Sequence, residues 1–279
     1  MSIFLIAAMA AAAPAAATQP VTIHFAATVG ARPFKCGESY AGVGTPAATI
    51  TPTDFRFYVT NVELIDARGR KIPVKLDQDG LWQYRDVALL DFEDGSGPCS
   101  GGNSGLNLAV KGKVPAGRYV GMSFDVGLPD DLDHADASVA PAPLNFTSMF
   151  WVWQAGYRFF KVDMEGKFAT MRPGVQTGFS VHIGSTDCGH GPMTAPPVKQ
   201  CERPNRIAVT FAKFAPAKDH VTVDLAAILA GTDVTRNTPD TAPGCMSGQD
   251  DPECRGVFAA FGLPFGNVPV QPQTAFRKR

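Results

Sequence analysis

The stretch VTIHF at residues 21–25 sets the pattern on which the fold prediction rests. Its Val, Ile and Phe alternate with Thr22 and His24, so in a strand the apolar side chains share one face and the polar ones the other. Two similar stretches follow, FRFYV at residues 55–59 and VELI at residues 62–65. This pattern predicts a protein built mainly from β-strands.

Further strands are predicted along the chain, separated by turn sequences such as DQDG and VPAG. They cover residues 87–92, 117–127, 150–162, 178–183, 206–214 and 220–225. Helical signals are few, with one short helix expected within residues 223–229 and another within residues 250–261. Many short strands predict a single β-sandwich-like domain, which we assign to residues 18–234. Residues 235–279, rich in Pro, Gly and Asp, are predicted to form a C-terminal extension with a short helix.

The composition excludes several broad classes. The 279 residues include 28 Gly and 23 Pro, a loop-rich content, and 45% are hydrophobic, which is enough for a sizeable core and excludes wholesale disorder. The 25 Lys and Arg residues balance 26 Asp and Glu residues, without a basic cluster. This balance argues against nucleic-acid binding as the main function.

The apolar stretch MSIFLIAAMAAAAPAAA at residues 1–17 is predicted to be a signal peptide, with the mature chain starting near Thr18. A membrane anchor is the competing interpretation. It is disfavoured because the stretch is shorter than the roughly 20 residues that a span needs, and because Pro14 interrupts it. We therefore expect an exported, periplasmic protein with no membrane span in its mature chain.

Export permits disulfide bonds, and the chain has six cysteines. Two pairs, Cys188 with Cys201 and Cys245 with Cys254, bracket short polar loops. Fifteen pairings are possible on paper, but these local loops leave Cys36 and Cys99 for a long-range bridge. A metal–thiolate site is the less favoured interpretation, because the sequence has no C-x-x-C pair.

No hydrolase, Walker or dinucleotide-binding motif is present, so the five histidines are weighed individually. His134 lies in the acidic loop DDLDHAD, which could bind a cation but is more typical of a polar turn. His24 and His182 lie on predicted strands, opposite their apolar neighbours. A histidine in such a place more often has a structural role than a ligand role.

The most unusual segment is SMFWVWQAGYRF at residues 148–159. As a strand it would place Met149, Trp151 and Trp153 on one side and other large apolar residues on the opposite side, which is typical of a central core strand. A metal site is the alternative, because thioether and imidazole ligands suit Cu(I). If the strand that carries His182 ran alongside, Met149 and His182 could meet in one pocket.

Several segments together resemble the MbnP family, also called metallo-mystery-pair four-Cys motif proteins. The resemblance extends from about His24 to the C-terminus. The combination of W-x-W…G-Y with H-x-G-S-T-x-C is its specific part. The matching segments are PFKCG (33–37) with Tyr40, TDFRFYV (53–59), WQY (82–84), LLDF (89–92), PLN (143–145), MFWVWQAGY (149–157) and HIGST (182–186) before Cys188.

The resemblance implies a periplasmic protein that binds one copper ion, mainly as Cu(I). In the family, a partner di-haem protein of the cytochrome c peroxidase/MauG type converts the first Trp of W-x-W to kynurenine, which corresponds to Trp151 here. Motif position assigns His182 and Met149 as copper ligands, with Trp151 required for binding. It also places Trp153 and Tyr157 in support of the site.

Alternatives remain open at several of these positions. His24 and His134 are the alternative histidine ligands, and Met164 or Met171 the alternative methionine. The cysteines at 245 and 254 exceed the four of the family name and are expected to form an added bridge.

The leading function is non-enzymatic copper acquisition, storage or delivery. A copper-dependent oxidoreductase is disfavoured by the lack of a dense histidine cluster. A metal-free β-sandwich recognition module would instead present Trp151 and Trp153 to solvent.

Overall fold

The computed structural model describes residues 17–152, 154–165, 178–189 and 191–279. The predicted signal peptide, apart from residue 17, and the candidate residues Trp153 and Met171 lie outside the described residues. The chain is mainly β. Its strands are β1 (Thr18–Val29), β2 (Arg32–Pro33), β3 (Tyr40–Val43), β4 (Ala48–Asp66), β5 (Lys71–Pro73), β6 (Lys75–Leu76), β7 (Gln83–Tyr84), β8 (Val87–Asp91), β9 (Ala109–Pro115), β10 (Tyr119–Val126), β11 (Phe150–Val152), β12 (Gly156–Tyr157), β13 (Phe160–Glu165), β14 (Gly178–Ile183), β15 (Ile207–Phe211), β16 (Val221–Asp224), β17 (Gly244–Cys245) and β18 (Phe276–Lys278).

Three short α-helices and two 3₁₀ turns complete the described elements. They are α1 (Asp130–Asp133), α2 (Leu225–Leu229), α3 (Cys254–Phe261), and the 3₁₀ turns Gly97–Cys99 and Thr147–Met149. The predicted helices within 223–229 and 250–261 are confirmed as α2 and α3. Asp224 caps α2, because its side chain accepts a hydrogen bond from the backbone N–H of Ala226.

Two sheets pack face to face as a sandwich, as predicted. The smaller sheet has the order β18-β16-β1-β9-β6, with β2 also on β1. The larger sheet has the order β15-β10-β4-β13-β14-β17, with β3, β5 and β8 also on β4, and β7 on β8. Strand β4 therefore organises the larger sheet, while β1 organises the smaller one.

The main core lies between the two sheets and follows the alternation of the strands. In β1, Val21, Ile23 and Phe25 are buried in this core, as the alternation predicts. Phenylalanines from both sheets meet there, for example Phe25 and Phe57 with ring centroids 6.2 Å apart. Each fully buried apolar side chain of this size stabilises the fold by about 1.5–3 kcal/mol.

Two predicted strand assignments differ from the structure. The stretches 55–59 and 62–65 belong to one strand, β4, which continues through a register irregularity where Asn61 adopts a φ of 49°. The single central strand predicted over 150–162 is wrong. Strands β11 (Phe150–Val152) and β12 (Gly156–Tyr157) pair as a separate hairpin, and β13 begins only at Phe160. The hairpin turns because Gly156 adopts a φ of +71°, which suits glycine.

All three predicted disulfides are confirmed: Cys36–Cys99, Cys188–Cys201 and Cys245–Cys254. The segment after residue 234 is packed into the sandwich. Strand β17 pairs with β14, β18 pairs with β16, and Phe258 of α3 lies in the main core. The domain boundary at residue 234 stays a prediction.

A second apolar cluster covers part of the outer face of the larger sheet. Tyr58 of β4 and Leu89 of β8 contribute from the sheet, and residues 128–159 pack over them. Its buried members are Tyr58, Val87, Leu89, Leu128, Leu132, Ala137, Leu144, Met149, Tyr157 and Phe159. Within the described ranges, no helix is long and apolar enough to cross a membrane.

Candidate metal centre

Beside the second apolar cluster, the same outer face carries six polar side chains on three neighbouring strands. Their apolar neighbours along each strand point into the main core, so alternation directs these six outward. In the pairing register, Lys161 lies between Arg56 and His182, and Asp163 lies between Asp54 and Ser180. The six residues, named here the polar cluster, are Asp54, Arg56, Lys161, Asp163, Ser180 and His182.

His182 is held within this polar cluster by a carboxylate. The side chain is 5% exposed, and its Nε2 lies 2.7 Å from Oδ1 of Asp163. Asp163 also accepts a hydrogen bond of 2.7 Å from the Ser180 hydroxyl and an ion pair of 3.0 Å from Lys161. Lys161 reaches Asp54 as well, so the aspartate that holds His182 is itself fixed.

The pKa shifts of this pair define the state of the imidazole. Burial lowers the pKa of His182, and the nearby charges of Arg158 and Lys161 lower it further, which outweighs the hydrogen bond to Asp163. Burial would raise the pKa of Asp163, but the His182 hydrogen bond and the Lys161 charge hold it well below its usual range. The pair is therefore a neutral imidazole that donates from Nε2 to a carboxylate.

This assignment leaves Nδ1 of His182 with its lone pair free of a proton. The atom is buried and has no hydrogen-bond partner among the described residues. A neutral imidazole whose other nitrogen donates to a carboxylate is the usual arrangement of a histidine metal ligand in proteins.

Trp151 packs against His182, with ring centroids 6.2 Å apart. Gly184 makes this approach possible, because a β-carbon there would lie 2.7 Å from Cζ3 of Trp151 and 2.6 Å from the carbonyl oxygen of Tyr157. Trp151 is half-buried, so it is neither a core residue nor the fully exposed platform that a recognition module would present.

Two arginines hold the segment that carries Trp151, and one of them, Arg56, belongs to the polar cluster. The Arg56 guanidinium is fully buried, pairs with Asp54 and donates a 2.9 Å hydrogen bond to the Ser148 hydroxyl. Arg158 lies over the Trp151 ring at 5.2 Å and donates to the carbonyl oxygens of Ser148 and Phe150. Such a cation–π contact contributes about 0.5–2 kcal/mol.

Unpartnered polar atoms are concentrated around Trp151. In the described part of the chain, seven buried side-chain nitrogen or oxygen atoms lack a hydrogen-bond partner. Three of them are Nδ1 of His182, Nε of Arg158 and Oε1 of Gln154, on residues that contact Trp151 or follow it in the hairpin. Buried polar groups are normally satisfied, so this concentration marks a place where a further polar or metal group fits.

The structure brings Trp151 and His182 together but gives Met149 different surroundings. Met149 ends the 3₁₀ turn, and its side chain is buried in the second apolar cluster. Tyr157 is fully buried in that cluster too, where its hydroxyl donates a 2.6 Å hydrogen bond to the carbonyl oxygen of Leu144. The central-strand geometry, with Met149 and Trp151 on one face, is replaced by the turn and hairpin.

The alternative ligands lie elsewhere. His24 is exposed on β1 of the smaller sheet, so the main core separates it from His182. Met164 follows Asp163 in β13 but points the other way, into the main core.

The contacts of His134 place it next to a disulfide. Its Nε2 is 3.3 Å from Sγ of Cys201 and 3.4 Å from Oδ2 of Asp133. His134, Cys188 and Cys201 present ligand-type atoms within 4.8 Å of one another. Because the two sulfurs are joined to each other, they are not the thiolates that bind metals.

Sequence reasoning missed Asp163, Lys161 and Arg158 as site residues. The signal for the first two was the alternation in FKVDME at residues 160–165, where a lysine and an aspartate share the polar face of a strand. A similar Asp–Arg alternation occurs in β4 at residues 54–56. These pairs become a site only when β4, β13 and β14 lie side by side.

Comparisons with known proteins agree on one family. The family model MbnP matches residues 18–247. Among solved structures, MbnP from Methylosinus trichosporium is similar, with 34% sequence identity and a TM-score of 0.83. That match covers 94% of this chain and 98% of the other. Among curated proteins, no sequence matches the chain.

Proposed function

Because the chain belongs to the MbnP family, we propose that it is a periplasmic protein that binds one copper ion, as Cu(I), next to Trp151 and His182. Its role would be copper acquisition, storage or delivery rather than catalysis. The single observation that carries the proposal is the buried, unpartnered Nδ1 of His182, in a ring that is held by Asp163 and contacts Trp151.

The residues around Trp151 fit a Cu(I) ion. An imidazole nitrogen suits copper, and the Trp151 ring would shield the ion from bulk water. Met149, two residues before Trp151, is the proposed thioether ligand. Its present place in the apolar cluster means that the 3₁₀ turn at Thr147–Met149 would have to adjust for Met149 to bind.

Conversion of Trp151 to kynurenine would supply the missing polar atoms. In the proposed step the C2–C3 bond of the indole is cleaved, and two oxygen atoms are added in a four-electron oxidation. Two peroxide molecules would each supply one oxygen and leave as water. Hydrolysis would then release C2 as formate and leave an aryl amine and a ketone on the side chain.

Several residues of this chain would assist that conversion. The half-buried position of Trp151 leaves part of the side chain accessible to a partner protein, which we propose to be a di-haem peroxidase of the cytochrome c peroxidase/MauG type. The unpartnered Nε–H of Arg158 is available to donate to the new carbonyl oxygen. Asp163 keeps the proton on Nε2 of His182, so that Nδ1 stays available to the metal.

Intact mass spectrometry and metal analysis of protein made with and without its partner test this function. We expect Trp151 to gain about 4 Da only with the partner, and copper to bind only to the modified protein. Trp151→Phe should abolish copper binding while its circular dichroism spectrum stays native. Full copper stoichiometry in Trp151→Phe would contradict the proposal. Since unmodified protein is expected to lack copper, a negative metal assay is informative only for the modified form.

A further inference from the structure

Two histidines lie side by side on the outer face of the smaller sheet, away from Trp151. Strands β1 and β16 pair in parallel, with Phe25 opposite Val221. His24 and His220 immediately precede these two residues. Because Phe25 and Val221 both point into the main core, the side chains one position earlier point outward on the same face.

The distance between the two strands suits a shared ligand. Neighbouring strands lie about 4.8 Å apart, and a metal ion sits about 2.0–2.1 Å from each imidazole nitrogen that binds it. The main chain fixes His220 on its other side, because His220 and Arg279 exchange two backbone hydrogen bonds of 2.8 and 2.9 Å. His24 is paired with Ala109 of β9, so each imidazole projects from backbone that is paired on its outer side.

His24 and His220 also line one surface cavity of about 300 Å³. His24 is exposed and His220 is half-exposed, so an ion can reach both from solvent. Asp219 and Lys218 line the same cavity. The carboxylate of Asp219 is ion-paired with Lys278 at 3.3 Å and accepts a hydrogen bond from the backbone N–H of Ala215. Its negative charge partly offsets the positive charge of Lys218 at the cavity.

We propose that His24 and His220 form a second, exchangeable metal site for a divalent ion of borderline softness, with Cu²⁺ or Zn²⁺ as the chemical class. Two imidazole ligands select such ions over Mg²⁺ and Ca²⁺, which prefer oxygen ligands. Two protein ligands leave the remaining coordination positions to water, so the ion exchanges readily. The two sheets and the main core between them separate this site from Trp151.

The test uses the full chain with Trp151→Phe, so that its outcome does not depend on the proposed copper site at Trp151. Titration with Cu²⁺, followed by calorimetry and by electron paramagnetic resonance, should show one ion bound through two nitrogens. His24→Gln and His220→Gln should each weaken binding at least about tenfold, because each removes one arm of a chelate. The double variant should lose the site, and its loss of binding free energy should be smaller than the sum of the two single losses, since the two histidines act on one ion.

The controls distinguish this site from the other histidines and from misfolding. His134→Gln, in the same host, should leave Cu²⁺ affinity unchanged, and so should Thr22→Ala, two residues away on the same face of β1. Circular dichroism of each variant confirms that the sandwich is intact. Unchanged affinity in both His24→Gln and His220→Gln would overturn the proposal. Two bound ions in the parent protein, of which each single variant loses one, would overturn it too, because they would mean two independent binding places.

Discussion

Asp163 accepts a hydrogen bond of 2.7 Å from Nε2 of His182, and this contact decides which imidazole nitrogen carries the proton. The neighbouring strands fix the position of Asp163, because Ser180 and Lys161 contact its carboxylate as well. In the proposed copper site, the nitrogen that would bind the metal is thereby oriented before the ion arrives. The conformational entropy of the imidazole is therefore lost when the protein folds rather than when a metal binds.

Asp163→Asn tests this relationship directly. The amide can still contact His182, but it can donate as well as accept and it lacks the negative charge. We expect copper affinity of the Trp151-modified protein to fall about 10–100-fold, the usual effect of losing such a supporting carboxylate. Competition against a Cu(I) chelator measures this. Asp66→Asn, at an exposed turn, is the control, and equal affinities in the two variants would contradict the role given to Asp163.

Gly184→Ala tests the packing of Trp151. The new methyl group would lie 2.7 Å from the Trp151 ring and 2.6 Å from a backbone oxygen, so the ring has to move. We expect a loss of about 1–3 kcal/mol in the free energy of unfolding and a changed tryptophan fluorescence spectrum. Gly101→Ala is the matched control, since a β-carbon there meets nothing within 4 Å. An unaltered Trp151 environment in Gly184→Ala would disprove the close packing.

Arg56→Met tests the buried ion pairs under the hairpin. The substitution keeps an apolar stem but removes the buried cation shared by Asp54 and Glu93, so that Lys161 is the remaining cation paired with Asp54. We expect the free energy of unfolding to fall by about 3–5 kcal/mol, measured by urea denaturation. Arg70→Met removes an arginine from an exposed ion pair with Asp66 and should change stability little. Similar effects of the two substitutions would show that burial of Arg56 is not what matters.

Asp251 predicts a pH dependence of stability away from the candidate metal centre. It is 5% exposed, and burial, followed by the hydrogen bond and charge of Glu253, raises its pKa to about 8. The folded state therefore holds a proton that the unfolded state releases near pH 4, so stability falls as pH rises from there through about 8. Between about pH 6 and pH 9, the free energy of unfolding of Asp251→Asn should fall by about 1–2 kcal/mol less than that of the natural chain, as measured by urea denaturation.

Asp250, the exposed neighbour of Asp251, provides the control for the pH dependence. Asp250→Asn changes the same formal charge without removing a buried carboxyl, and its stability profile should follow that of the natural chain. If Asp250→Asn flattened the pH profile as much as Asp251→Asn did, the dependence would reflect net charge rather than burial.

The local features of the molecule could be predicted from the sequence. The alternation in VTIHF at 21–25 places residues correctly inside and outside the sandwich, and the short loops between cysteines identify their partners. Both depend on residues close together in the chain. The prediction that Trp151 belongs with His182 came from motif resemblance, and the two rings do meet.

The polar cluster could not be predicted in the same way. Its members come from β4, β13 and β14, and their proximity depends on a strand order set by the whole fold. The turn at Gly156 was also missed, because the aromatic residues around it have high strand propensity and mask a single glycine. Met149 is out of line with Trp151 for another reason, because it ends the 3₁₀ turn that precedes β11.

The separate hairpin β11–β12 has a consequence for how such a protein can mature. Neither of its strands belongs to the two main sheets, so the sandwich closes without using the backbone around Trp151. The residue that we propose a partner protein modifies is thus carried on a hairpin outside the two main sheets. Opening of its indole ring would leave the hydrogen bonds of those sheets untouched, so the chain could fold first and be modified afterwards.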